Sequence, residues 1–160
     1  MKNKTIYMLL FLLSVSMHAF SQNHLRIKEV FDVYGKQEGA IFVQLSSDVL
    51  SQGSNITFYK SLILDKNSSR EQTITTALKQ DLKNCSVISE IKKNGILESG
   101  TYLVDKNPSQ KLNEYILYKN RDGKITLVYL SGNFPPNQLS NELKKLKNLF
   151  IYINNKRLKI

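Results

Sequence analysis

The stretch from Asn113 to Asn133, NEYILYKNRDGKITLVYLSGN, constrains the fold of this chain more than any other. Two runs of apolar and aromatic residues flank its Asp122-Gly123 dipeptide. An Asp-Gly pair between such runs is typical of a tight β-hairpin, because both central positions of a type I′ turn need a positive φ. The sequence therefore predicts the central hairpin of an antiparallel sheet, with the helices of the chain packed on that sheet.

Further strands are predicted on the N-terminal side of this hairpin, which gives an antiparallel sheet of about five strands. The predicted strands cover residues 40–45, 56–64, 97–104, 112–119 and 124–131. The last three follow one another closely in the chain, which favours a C-terminal antiparallel meander. We expect a single α+β domain over residues 22–160, with its helices packed mainly on one face of the sheet.

A long helical region is predicted over residues 71–93, with room for a break near Cys85. In this interpretation Cys85, Ile88 and Ile91 continue an apolar stripe of helical spacing, and Gly95 supplies the C-terminal cap. A cysteine in such a stripe is expected to be a buried, inert thiol. Because the chain has no second cysteine, a reactive thiol or an intermolecular disulfide is the alternative.

Two shorter helices and a short tail complete the predicted elements. The first helix begins near residue 23 and has an apolar face formed by Ile27, Val30, Phe31 and Tyr34. The last follows two prolines and has an apolar face formed by Leu139, Leu143, Leu146 and Phe150. After residue 148 the sequence is compatible with a small hairpin about Asn154-Asn155 or with a frayed end.

Residues 1–21 have the organisation of a cleaved signal peptide. Two lysines precede an apolar run of about ten residues, which is too short to span a bilayer comfortably. Small side chains at Ala19 and Ser21 predict cleavage between Ser21 and Gln22, with an uncleaved anchor as the alternative. The mature chain would keep 139 of the 160 residues, its formal charge would fall from +10 to +8, and we expect it to be periplasmic or extracellular.

The sequence offers little catalytic chemistry, and no catalytic, cofactor or metal site is predicted. His24 is the only histidine left after the predicted cleavage, so neither a hydrolytic triad nor a zinc site has enough ligands or bases. No glycine-rich phosphate loop is present. Glu114 is the best carboxylate candidate, because burial on a strand would raise its pKa and suit a general acid. A partly solvated face, or a cross-strand lysine partner, is the alternative for Glu114.

The C-terminal segment is strongly basic, with six cations against Glu142 alone. The cations are Lys144, Lys145, Lys147, Lys156, Arg157 and Lys159. A basic amphipathic helix of this kind either rests on an anionic membrane surface or docks on its own sheet with a solvated basic face. The overall positive charge also favours acidic partners. Export, and the absence of zinc-finger and RNP motifs, argue against nucleic acid.

Three features together give a family resemblance. They are the Phe31-Asp32-x-Tyr34 motif at the end of the first helix, the phrase Phe58-Tyr59-Lys60-Ser61-Leu62 on a strand, and a meander that ends near Gly132. With the Ala-Phe-Ser signal end before a glutamine, the chain resembles a group of small exported proteins of unknown function from Bacteroidota. The resemblance covers about residues 24–148 and implies no catalytic residue. The cysteine that carries a lipid in some proteins of that kind is missing here.

The leading functional hypothesis is a non-catalytic binding or interaction module of the cell envelope, whose partner is a protein or an acidic envelope component. The first alternative is peripheral membrane association through the basic C-terminal helix. The second is a carboxylate-dependent enzyme, for which the sequence gives the least support. An open edge of the predicted sheet would be a natural place to add a strand of a partner.

Overall fold

A computed structural model describes residues 25–50, 53–106 and 110–147, and the backbone of residues 150–153 and 156–159. The helices are α1 (Arg26–Tyr34), α2 (Ser47–Leu50), α3 (Ser68–Asp81) and α4 (Leu139–Lys147). The strands are β1 (Ile41–Ser46), β2 (Ile56–Asp65), β3 (Cys85–Lys93), β4 (Ile96–Val104), β5 (Asn113–Arg121), β6 (Lys124–Gly132), β7 (Phe150–Ile153) and β8 (Lys156–Lys159). The predicted cleavage between Ser21 and Gln22, and His24, lie outside the described residues.

Strands β1 to β6 form one antiparallel sheet in the order β1-β2-β6-β5-β4-β3. The predicted central hairpin is confirmed: β5 and β6 occupy the middle of the sheet, and Asp122 and Gly123 have φ values of 54° and 72°. The α+β class and the C-terminal meander are confirmed as well, with six strands where about five were expected. Strands β7 and β8 form a separate two-stranded sheet, as the hairpin interpretation of the tail predicted.

The prediction of a helix through residues 82–93 is wrong. Helix α3 ends at Asp81, a single 3-10 turn follows, and the chain then enters β3 at Cys85. Asn94 and Gly95, with φ values of 51° and 77°, form the turn between β3 and β4 rather than a helix cap. The physical reason is that an Asn-Gly pair between apolar, β-branched segments favours a type I′ hairpin turn over helix continuation.

The sheet has an apolar core on each face, because successive side chains of a strand point to opposite sides. Ile116 and Tyr118 of β5 lie on the face covered by α1 and α3, which we call the two-helix face. Tyr115 and Leu117 lie on the opposite face, which α4 covers in part and which we call the α4 face. Two of the three longer helices therefore share one face, in agreement with the predicted layering.

Helix α4 docks on the sheet through its apolar side chains. Leu139 and Leu146 are buried in the core of the α4 face, and Leu143 packs against that core. The helix ends at Lys147, and Phe150 begins β7 instead of extending the helical face as predicted. The run Phe150–Ile153 is aromatic and β-branched, and such residues favour a strand.

Candidate functional site

Asp81 is one of two buried carboxylates, among the described residues, that hold the fold together. Its Oδ1 accepts a hydrogen bond from the backbone N–H of Arg26 at 2.7 Å, and its Oδ2 accepts one from Ile27 at 2.9 Å. The last residue of α3 thus caps the first turn of α1, whose N–H groups have no partner within the helix. Burial raises the pKa of Asp81, and the two N–H donors offset part of this effect. Because both oxygens are engaged, Asp81 is not available as a catalytic group.

Glu142 plays the corresponding role on the α4 face. It is almost fully buried and accepts hydrogen bonds from the Asn55 backbone N–H at 2.8 Å and the Ser54 hydroxyl at 3.1 Å. Lys145 lies 2.7 Å from the other oxygen, which also accepts from the Asn55 side chain. Burial raises the pKa of Glu142, but these donors outweigh it and leave the pKa below its ordinary value. The single acid of the basic segment therefore anchors α4 to the start of β2.

Glu114, the carboxylate candidate for an enzyme, is half-buried on the two-helix face of β5. It accepts a hydrogen bond from the side chain of Gln110. Burial, followed by a hydrogen bond to Glu114, raises the pKa of Tyr129 on the neighbouring strand. The ammonium of Lys28 lies 5.1 Å from the centre of the same tyrosine ring. The structure thus gives Glu114 two polar partners, Gln110 and Tyr129.

Cys85 begins β3 and is half-buried, instead of lying in a helical stripe. Its Sγ lies 3.3 Å from the backbone carbonyl oxygen of Asp81. Burial, with the nearby carboxylates of Asp105, Asp81 and Glu114, raises the pKa of the thiol to about 12. Since the thiolate is the reactive form, this environment makes Cys85 a poor nucleophile.

Strand β3 forms one edge of the sheet and is exposed along almost its whole length. All of its residues after Cys85 are exposed. Val87 and Ile91 have 61% and 58% of their surface accessible. Ile88 is an extra residue that bulges from the pairing with β4, since Val87 pairs with Tyr102 and Ser89 with Thr101. These apolar side chains lie on an edge with which no further strand of the described residues pairs.

A buried tyrosine fixes the middle of β3 to the sheet. Tyr102 of β4 is fully buried, and its hydroxyl donates to Glu90 of β3 at 2.9 Å. The ring passes over Gly100, where a Cβ would overlap the Tyr102 hydroxyl. Glu90 also pairs with Lys92 at 2.7 Å. This network holds Glu90 and Lys92 on the two-helix side of β3 and leaves Ile91 on the other side.

Strand β1 forms the opposite edge and has a different character. Its six residues pair with β2 without a register shift, and none of them is charged. Ile41 is 57% exposed, and Phe42 is exposed as well beside Phe31 of α1, with ring centres 6.4 Å apart. Natural sheets usually protect an edge with charges, bulges or proline. β1 has none of these, and no strand in the described part of the chain pairs with its outer side.

The basic segment is only partly described. Lys144 and Lys145 are exposed on α4, and Lys145 pairs with the buried carboxylate of Glu142. The side chains of Lys147, Lys156, Arg157 and Lys159 lie outside the described residues. Because the apolar face of α4 packs on its own sheet, a membrane contact in this conformation would rest on the cations and not on the leucines.

The described residues provide neither a metal site nor a spanning helix. In residues 25–50, 53–106 and 110–147, no three histidine, cysteine, aspartate or glutamate side chains are grouped as ligands for a metal ion. No helix in the same ranges has the length and apolar character needed to cross a membrane.

Sequence reasoning missed both edges as sites, for different reasons. It identified β1 as a strand but gave no sign that the strand would lie at an edge. It assigned the residues of β3 to a helix, although the Asn94-Gly95 pair was a hairpin signal that would have corrected this assignment. Strands β1 and β3 are far apart in sequence, and only the order of the strands in the sheet places them at its two edges.

The described fold is that of a small α+β protein with a six-stranded antiparallel sheet. The chain belongs to a family of unknown function (DUF6108), whose model matches residues 14–146. The match ends within α4 and does not include β7 and β8. No curated protein matches the chain.

Proposed function

We propose that this protein is an exported, non-catalytic binding module of the cell envelope that takes an extended segment of a partner protein at the β1 edge. The observation that carries the proposal is the regular, uncharged and exposed edge of β1. A partner strand would gain backbone hydrogen bonds along β1, and apolar side chains of that strand would contact Ile41 and Phe42. The partner is therefore expected to present an extended, uncharged segment.

The use of the ionisable groups supports a binding role over catalysis. The carboxylate oxygens of Asp81 and Glu142 accept hydrogen bonds from backbone and side-chain donors elsewhere in the fold. Glu114 is held by Gln110, and Cys85 has a strongly raised pKa. Asp81 and Glu142 are buried and engaged, and Cys85 is disfavoured as a thiolate, so these three groups lack the access or the reactive form that catalysis requires.

Native mass spectrometry of the protein from its own envelope fraction, without reducing agent, tests export and binding together. We expect the mass of residues 22–160, because the signal peptide is cut before Gln22, together with a second population that carries a bound protein. A mass that still includes residues 1–21 would contradict cleavage. Only the bare chain, under conditions that preserve complexes, would contradict stable capture of a partner.

Photo-crosslinking in the native cell locates the partner. A photoreactive phenylalanine analogue at position 42 is expected to give one discrete adduct. The same analogue at Val33, which is 59% exposed on α1, is the matched control and should give none. Ile41→Lys in the crosslinking background should remove the adduct without lowering the melting temperature, since position 41 is exposed. Equal adducts from positions 42 and 33 would contradict binding at β1.

Peripheral membrane contact is a second candidate, favoured by the exposed lysines of α4. Deleting residues 139–160 would be a poor test, because it would also remove the core residues Leu139 and Leu146. Lys144→Glu combined with Lys156→Glu leaves the buried face intact. If the basic surface binds membranes, these changes should abolish sedimentation with vesicles that contain anionic lipid. Absence of sedimentation by the unchanged protein would exclude this candidate.

A further inference from the structure

We propose that β3 pairs with β3 of a second copy of this chain, antiparallel and about a two-fold axis at Ile91, so that two six-stranded sheets become one continuous sheet. This contact uses the edge opposite β1 and is independent of the function proposed above. The partner of the exposed residues of β3 is the same strand of a second copy. The charges, the bulge and the exposure of β3 support this pairing.

The charges of β3 are complementary to themselves in an antiparallel pair centred on residue 91. In an antiparallel pair centred on residue 91, Glu90 lies opposite Lys92 of the second copy, and Lys92 lies opposite its Glu90. Opposite charges in such directly facing positions stabilise a strand pair, and like charges destabilise it. The sequence Glu90-Ile91-Lys92 therefore makes two favourable cross-strand pairs with a copy of itself.

The faces of the sheet are also matched in this register. Tyr102 holds Glu90 on the two-helix face, and Lys92 pairs with Glu90 on that side. Ile91 faces the other way, opposite Ser99 of β4. A two-fold axis perpendicular to the sheet keeps each face continuous, so the two Ile91 side chains would meet on the α4 face. At present that side chain has 58% of its surface accessible.

The bulge at Ile88 excludes the most obvious apolar alternative. A register centred on Ser89 would place Val87 opposite Ile91 of the second copy. Because the extra residue Ile88 reverses the alternation, Val87 lies on the two-helix face with Tyr102, whereas Ile91 lies on the α4 face. Directly opposed residues share a face, so this register cannot join the two side chains. The second shift in the pairing of β3 with β4, between Ile91 and Lys92, comes from the extra residue Glu98 of β4. The run from residue 89 to residue 93 therefore has no extra residue in β3 and remains for pairing.

A five-residue strand pair is a small interface, so we expect a reversible dimer with a dissociation constant on the order of 10–100 μM. Sedimentation equilibrium of the mature chain over that range measures it. Glu90→Lys and Lys92→Glu, each alone, place like charges opposite each other and should weaken the homodimer at least about tenfold. Lys92→Glu keeps the Tyr102–Glu90 hydrogen bond, so it remains informative if Glu90→Lys reduces folding.

Mixing the two single variants gives a more specific result than either alone. The Glu90→Lys chain carries lysine at both positions 90 and 92, and the Lys92→Glu chain carries glutamate at both. In a mixed pair every lysine then faces a glutamate, so a heterodimer should form where neither variant self-associates. The double variant Glu90→Lys with Lys92→Glu should again form a homodimer. A merely structural role of either residue would not produce this pattern.

Disulfide trapping tests the register. In a Cys85→Ser background, Ile91→Cys should give a covalent dimer on mild oxidation, because the two residues face each other. Val87→Cys is the matched control: position 87 is equally exposed, but the two copies of it would be about 26 Å apart along the strands. A wild-type chain that stays monomeric at the highest concentration, a mixture without heterodimer, or equal trapping at 87 and 91 would each overturn the proposal.

Discussion

The carboxylate of Asp81 ties the end of α3 to the start of α1, and its removal tests how far the two-helix face depends on one side chain. Asp81→Ala would leave the N–H groups of Arg26 and Ile27 without their acceptor in a place where water has little access. Each hydrogen bond to a charged acceptor contributes about 1.5–3 kcal/mol. The cost of burying the charge, which also raises the pKa of Asp81, cancels part of this gain.

We therefore expect Asp81→Ala to lower the free energy of unfolding by about 2–4 kcal/mol. For a domain of about 140 residues the entropy of unfolding is about 0.3 kcal/mol/K, so the melting temperature should fall by about 7–13 °C. Urea denaturation of residues 22–160, followed by far-ultraviolet circular dichroism, measures the free energy. Thermal unfolding by calorimetry checks the second figure.

Two further variants separate capping from general effects of charge. Asp81→Asn keeps one acceptor oxygen and removes the buried charge, so it should be less destabilising than Asp81→Ala. Asp32→Ala removes a carboxylate that is 72% exposed and pairs with Lys60, and it should change stability by less than about 0.5 kcal/mol. A loss below about 0.5 kcal/mol for Asp81→Ala would refute the capping argument.

Three further perturbations address the other buried groups. The pKa of Glu142 is lowered in the folded state. Its carboxylate therefore contributes to the free energy of unfolding above the unfolded pKa near 4.5, and this contribution is lost as the pH falls through the folded pKa. Glu142→Gln should accordingly flatten the decline in stability below pH 4.5. Tyr115→Phe removes a buried hydrogen bond of 2.7 Å to the Phe134 carbonyl oxygen and should cost about 1 kcal/mol in urea denaturation. Because the pKa of Cys85 is raised to about 12, its reaction with a thiol reagent at pH 8 should be at least about a hundredfold slower than that of a free thiol.

Each of these expectations has a result that would contradict it. An unchanged acid transition in Glu142→Gln would mean that the carboxylate does not control acid stability. A Tyr115→Phe variant as stable as the parent would mean that the Phe134 carbonyl, which also accepts from Asn113 at 2.7 Å, is fully satisfied without the tyrosine. Fast labelling of Cys85 in the folded protein, at the rate seen after unfolding in urea, would mean that the thiol is accessible and normally acidic.

The centre of the sheet could be predicted from sequence because the residues that determine it are close together in the chain. Asp122-Gly123 sets the turn, and the apolar residues on both sides of it set two strands in the register that the turn dictates. The short connections of the meander then place the neighbouring strands. No residue distant in sequence is needed for this part of the fold.

The sequence of β3 predicts a helix because the bulge gives its apolar residues a helical spacing. Cys85, Ile88 and Ile91 are three residues apart, which is helical spacing. In the sheet the same spacing arises because the extra residue Ile88 interrupts a period of two. Only the Asn94-Gly95 turn carried the contrary signal, and it is also acceptable as a helix cap.

The anchoring carboxylates could not be predicted, because their partners are far away in the chain. Asp81 binds residues 54 and 55 positions earlier, and Glu142 binds residues 87 and 88 positions earlier. A sequence shows that an acid lies on a helix but not which N–H groups will approach it. The two edge strands could not be predicted for the same reason, because the position of a strand at an edge depends on how all the strands of the sheet are ordered.

The position of β6 between β2 and β5 has a consequence for how the chain assembles. Strands β3 to β6 follow one another in sequence, so their pairings close small loops and can form early. The pairing of β2 with β6 joins residues such as Asp65 and Lys124, which are 59 positions apart. During synthesis from the N-terminus, the edge of β2 that pairs with β6 stays unpaired until β6 has been synthesised. The interval before this pairing forms is thus where the chain is expected to depend most on a chaperone.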